Sequence, residues 1–324
     1  DGAKTFKILC GDKPLHSVGH SKFRDQVEVL TITCNVDSGT VLAFANKRPG
    51  DLQHFRERAE DFKVIYDDDE SRITTQLAGW STSALPCFQR CYIFPDKMLQ
   101  DGEYPFRVMD GAVARALPTQ LINYDSDSVP FVINLNESLE KRDPAHDFKV
   151  KPSLAEKYSF KSYVYNSFMI MLDYQGTDDV RYFIENSRSY DQYIEIKPSM
   201  QSSPSNRDRS WYSKEPMETF SFFTSDKEAS DAGFDFGYDI VSERLSKIES
   251  ENTELWSKMC THGITCVMSG GGVRGSILCG AVYAFTERLG VESINALAGV
   301  SMGGVMSIYM ADVLAQYECM GHDH

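Results

Sequence analysis

The sequence predicts an α/β fold: three layers, with a mainly parallel sheet flanked by helices. Two strand-to-helix units near its end and an acid at a strand end carry this expectation. In the first unit, Ile264 to Met268 leads into Ser269-Gly270-Gly271-Gly272-Val273-Arg274-Gly275, and Ile277 to Leu289 follows with helical spacing. In the second, Ile294 to Val300 leads into Ser301-Met302-Gly303-Gly304, and an apolar helical segment runs from Val305 to Leu314. Earlier in the chain, Phe106 to Met109 ends on Asp110-Gly111-Ala112, the strand-end position where α/β enzymes place functional groups.

The remaining elements follow from local pattern. β-Branched and apolar residues predict strands over 27–35 and 40–46. Asp51 to Glu60 reads as a short polar helix, Asp67 to Glu70 as a solvated turn, and Ile73 to Ser83 as a helix. After Asp110, Pro118 closes a loop and a helix-like segment runs to Asn123. Val129 to Leu135 is a buried-strand pattern. Ser153 to Tyr174 carries Phe160, Tyr163, Val164, Phe168, Met171 and Leu172 at helical spacing, a stripe that fits a core or an acyl-chain groove. Tyr190 to Ile196 alternates like a strand. Ser199 to Pro216 reads as a long loop of the kind that serves as a lid, and Phe236 to Met259 as one long polar helix.

Composition narrows the function classes. A chain of 324 residues with 42% hydrophobic and 25% charged residues is ordinary for a globular protein. A formal charge of −14 argues against nucleic acid and against firm resting adhesion to anionic membranes. No apolar run approaches the roughly 20 residues of a spanning helix, and no signal peptide opens the sequence. The expectation is a cytoplasmic protein that meets membranes peripherally. The eight cysteines are dispersed and read as reduced thiols. Cys87 and Cys91 lack two further ligands at matching spacing, so neither a metal nor a cofactor is expected.

Gly299-Val300-Ser301-Met302-Gly303 has the spacing of a nucleophile elbow, in which a tight turn presents a serine at a helix N-terminus. Three successive glycines, Gly270, Gly271 and Gly272, let backbone N–H groups point into one small space, as an oxyanion hole requires. Arg274, a cation at a helix start, is electrostatically ill placed unless it steadies the loop or draws in an anionic group. Of the seven histidines, none has a convincing strand-end setting. Asp110 is the better candidate base.

These three patterns together resemble the patatin-like phospholipase family: the Gly-Gly-Gly-x-Arg-Gly loop at Gly270–Gly275, the Gly-x-Ser-x-Gly elbow at Gly299–Gly303 and the Asp-Gly-Ala acid at Asp110–Ala112. The stretch Ser81 to Pro86 is also similar to the family's segment upstream of the acid. The resemblance implies a patatin-like hydrolase core with a Ser301–Asp110 dyad acting on lipid acyl esters. It assigns the oxyanion hole to Gly270–Gly272 and substrate binding to Arg274. In the family the glycine loop comes first and the aspartate last, whereas here Asp110 precedes both other motifs. Joining the chain's two ends in imagination restores the order. Residues 1–250 then supply the acid and the lid-like loop, 251–262 a linker, and 263–324 the oxyanion loop and elbow, as one composite domain. A circular permutant, a piece of tandem copies and halves completed between chains of a homo-oligomer all fit. The alternatives to a phospholipase A are a lipid-binding or scaffold protein on a hydrolase-like fold, and a histidine-dependent esterase using His146.

Overall fold

A computed structural model describes residues 10–21, 25–59, 62–66, 73–83, 92–93, 107–135, 175–196 and 227–321. Among the described residues its frame is one ten-stranded sheet. The strands are β1 (Glu28–Asn35), β2 (Val41–Ala45), β3 (Arg58–Ala59), β4 (Phe62–Tyr66), β5 (Tyr92–Ile93), β6 (Arg107–Asp110), β7 (Val129–Asn134), β8 (Tyr193–Glu195), β9 (Ile264–Met268) and β10 (Ile294–Val300). The helices are α1 (Thr75–Thr82), α2 (175–187), α3 (Lys227–Glu251), α4 (Thr253–His262), α5 (Gly275–Leu289) and α6 (Met302–Gly321).

The strands run in the order β3-β4-β2-β1-β10-β9-β7-β8. From β1 through β10, β9 and β7 to β8 every pairing is parallel, as the crossovers through α5 and other helices require. The other side is mixed: β2 lies antiparallel to β1 and parallel to β4. β9 and β10, late in the chain, insert between β1 and β7.

Side chains alternate between two apolar layers with the period of two that a strand imposes. Val29, Phe131, Ile133, Ile264, Cys266, Met268 and Leu297 face a core shared with α1, α3, α5 and α6. Leu30, Ile32, Val132, Val267, Ala298 and Val300 face the other core, with Phe55, Leu117, Leu121, Ile122 and Phe183 of α2. Helices therefore cover both faces of a mostly parallel sheet.

Several expectations change. The segment expected as one helix over Phe236–Met259 is two helices, since Asn252 leaves the helical conformation and caps α4 by accepting from the Leu255 N–H at 3.2 Å. Of the helix expected from Asp51 to Glu60, the described residues 52–59 are not helical. A short 3₁₀ turn, Pro49–Asp51, precedes them, and the buried Glu28 carboxylate accepts from the N–H groups of Gln53 and His54 at 2.8 and 3.0 Å. Those donors are thereby committed to a strand neighbour rather than to a helix. Likewise, of the helix-like segment expected from Pro118 to Asn123, only Thr119–Leu121 is helical, as a 3₁₀ turn. Helix α2 was not anticipated. The expected turn at Asp67–Glu70, the stripe at Ser153–Tyr174, the loop at Ser199–Pro216, the Cys87/Cys91 pair and His146 lie outside the described residues.

Candidate active site

Ser301 closes β10 and opens α6, and it adopts φ +52°, a left-handed conformation that non-glycine residues rarely hold. The strain is enforced from both sides. A Cβ on Gly299 would lie 2.5 Å from the Gly303 carbonyl oxygen, and one on Gly303 would lie 2.5 Å from the Ser269 carbonyl oxygen. Only glycines allow the strand end and the helix start to approach so closely. The Ser301 carbonyl accepts from the Gly304 and Val305 N–H groups at 3.0 and 3.2 Å, so the turn passes directly into α6.

Asp110 reaches the same point by a route unlike the one its sequence suggests. The expectation of parallel strands gathering both groups at one carboxyl edge fails for β6, which runs antiparallel to β1. Nor does β9 lie beside β6; it sits between β10 and β7. The edge of β1 is instead divided. β10 pairs along it from Glu28 as far as Ile32, opposite Val300, and β6 takes over at Thr33, opposite Asp110. The two strands thus meet head to head, bringing their C-terminal residues together.

The Ser301 hydroxyl lies beside the Asp110 carboxylate, close enough to oppose the rise in its pKa. The Ala112 N–H donates to Asp110 Oδ1 at 2.8 Å, which fixes the acid. Gly111 between them backs onto the Ile32 carbonyl oxygen, 2.5 Å from where its Cβ would be. Asp110 is 1% exposed and Ser301 6%. Burial pushes the carboxyl up to about 7, against the opposing effects of Ser301 and of the bond from Ala112. The Asp110 carboxyl is therefore poised to take up or release a proton near neutrality.

Gly270 lies directly against the serine: a Cβ there would fall 2.9 Å from Ser301 Cβ and 3.5 Å from Oγ. Gly271 sits against Leu135, and Gly272 has φ +55°. Ser269 pins the loop: its hydroxyl accepts from the Leu135 N–H at 2.8 Å and donates to the Gly270 carbonyl at 2.9 Å. Arg274 donates to the Leu135 carbonyl at 3.3 Å, a contact that ties the loop to the end of β7. The structure thus brings Ser301, Asp110 and Gly270 together within one chain, with Gly271, Gly272 and Arg274 along the same loop.

Pattern alone missed Ser269, Thr33 and Asp179. Thr33 is buried beneath the acid, with its hydroxyl 2.6 Å from the Met109 carbonyl and 3.0 Å from that of Ser81. The buried Asp179 of α2 accepts from the Leu117 N–H at 2.9 Å and lies 3.6 Å from Arg115, anchoring the loop that follows Asp110. A polar residue within an apolar strand is the one signal that marks Thr33. His54 bonds to Ser126 at 3.0 Å and lies beside Glu28, at the far end of β1 from Asp110. Among the described residues no group of three or more His, Cys, Asp or Glu side chains is placed to hold a metal ion, and no helix is long and apolar enough to cross a membrane.

No protein-family model matches the chain, and neither a curated protein nor a solved structure matches it.

Proposed function

We propose that the protein is a lipid acyl hydrolase of phospholipase A type, with a patatin-like core whose motifs stand in permuted order. The observation that carries this reading is the strained Ser301, set beside a buried carboxylate rather than a histidine. Asp110 takes the hydroxyl proton as Ser301 Oγ attacks the ester carbonyl. The proton then passes to the departing alcohol, leaving an acyl-serine. Water attacks that acyl group, gives a proton to Asp110 and frees the fatty acid as Ser301 is restored. The N–H groups of Gly270–Gly272 face the developing oxyanion. Arg274 steadies their loop and offers positive charge to a phosphate head group. The head-to-head meeting of β6 and β10 supports this assignment, because it closes the dyad within a single chain despite the reversed motif order. Lipid access would be peripheral, from a membrane surface.

A fluorophosphonate probe tests the reading. Wild type should label once, Ser301→Ala should not label, and Asp110→Asn should label far more slowly. Hydrolysis of a monodisperse short-chain phospholipid should follow the same order and survive replacement of every histidine. Equal hydrolysis by folded Ser301→Ala would overturn the proposal.

A further inference from the structure

Three sulfur atoms converge behind the elbow. Met302 and Met306 are one turn apart on α6, and Gly275 and Cys279 are one turn apart on α5. A Cβ on Gly275 would lie 3.0 Å from Met302 Sδ and 3.6 Å from Met306 Sδ, so the missing side chain there is what admits both thioethers. Cys279 Sγ lies 3.2 Å from Met306 Sδ. Met302 and Met306 are buried, and Cys279 is half-buried.

We propose that Cys279, Met302 and Met306 form a site for a soft monovalent d¹⁰ cation, with Cu(I) as the ligand. Thiol and thioether sulfur select Cu(I), whereas zinc favours four ligands that include imidazole, carboxylate or several thiolates. Met side chains are flexible enough to adjust around an ion while the helices stay in place. Binding exchanges the Cys279 proton for Cu(I), and the proton leaves to solvent. Thiolate and monovalent cation cancel in charge, so the loaded cluster brings no net charge into the core. No electron is transferred. The site does not depend on the hydrolytic reading, since it is defined by metal uptake alone.

The test titrates the whole, reduced chain with Cu(I) under anaerobic conditions against a chromophoric chelator. Wild type is compared with Met306→Leu and Met302→Leu, swaps that conserve volume and retain all eight cysteines as a common background. Each variant should hold the tightest equivalent of Cu(I) more weakly by about tenfold or more. Cu(I) should raise the melting temperature of wild type more than that of either variant. Selenomethionine-labelled wild type should show a copper neighbour in its selenium-edge absorption spectrum, a readout that needs no variant to fold. Equal uptake by wild type and both variants, or a selenium spectrum without copper, would overturn the proposal.

Discussion

Val300 and Asp110 occupy successive positions along one edge of β1, Val300 opposite Ile32 and Asp110 opposite Thr33. Two strands of opposite direction share that edge, and the step between them is where Ser301 meets the acid. Neither residue could be shifted by one position without breaking the encounter, because a one-residue slip reverses the face that a strand side chain addresses.

Replacing Ser301 separates chemistry from strain. Ser301→Ala and Ser301→Gly both remove the hydroxyl and should lower turnover by about 10⁴-fold or more. Glycine tolerates φ +52° where alanine does not, so Ser301→Gly should be the more stable of the two by about 1 kcal/mol. Chemical denaturation of the two variants checks this, since the loss of the hydroxyl beside Asp110 is common to both. Equal stabilities would remove the case for a strained elbow.

The Asp110 carboxyl, ordinarily near 3.8 and pushed up to about 7 by burial, should govern two pH profiles. As the base it must be ionised, so kcat/KM should rise with pH through about 7, and Asp110→Asn should lose that limb. Stability should move the opposite way. The folded state holds this proton more tightly than the unfolded chain, so the stabilisation is full below about 3.8 and lost as pH rises through about 7. Asp110→Asn should therefore gain on wild type between pH 5 and pH 8. Asp179, also pushed up to about 7 chiefly by burial, adds a parallel loss, which makes the paired Asp179→Asn measurement the control.

Gly270→Ala should disable the site more than the fold. Its new Cβ would press on Ser301 Cβ from 2.9 Å and displace the hydroxyl. Probe labelling should fall by about 10²-fold, the scale of a small misplacement of reacting groups. Gly303→Ala, directed at the Ser269 carbonyl oxygen, should instead cost about 1–3 kcal/mol as the turn is forced open. Thermal melts beside labelling rates distinguish the two outcomes.

Helices α3 and α5 cross at Gly237 and Gly280, whose absent side chains let them rest on the carbonyls of Ile277 and Phe234 respectively. Alanine at either position should separate the helices and destabilise the protein by about 1–3 kcal/mol, despite alanine's better helix propensity. A melt showing stabilisation would mean that the crossing is looser than described.

The strand-to-helix units around Gly270 and Ser301 were legible because glycine spacing and apolar runs are local signals. The candidate dyad was legible as residues but not as geometry. Nothing near Asp110 in sequence records that β6 runs antiparallel, since direction depends on pairing with β1, far away in the chain. The misreading of Asp51–Glu60 has the same origin: Glu28, distant in sequence, captures the N–H groups that a helix would use. The break at Asn252 was local and available, for an Asn followed by Thr253 and Glu254 is a helix-start pattern. The amphipathic pattern running through it masked that signal.

The placement of β10 bears on when the protein can work during its synthesis. β10 lies in the interior of the sheet, between β1 and β9, although it is the last of the described strands in chain order. A ribosome has therefore released the acid and most of the sheet long before it makes the strand that joins the two sides. Until Val300 emerges, β1 and β9 keep open edges, the kind that invite foreign strands. Closing such distant pairings is slow, which lengthens that exposure. The nascent chain should thus need shelter from a chaperone, and the proposed acyl-transfer chemistry should remain silent until this insertion is complete.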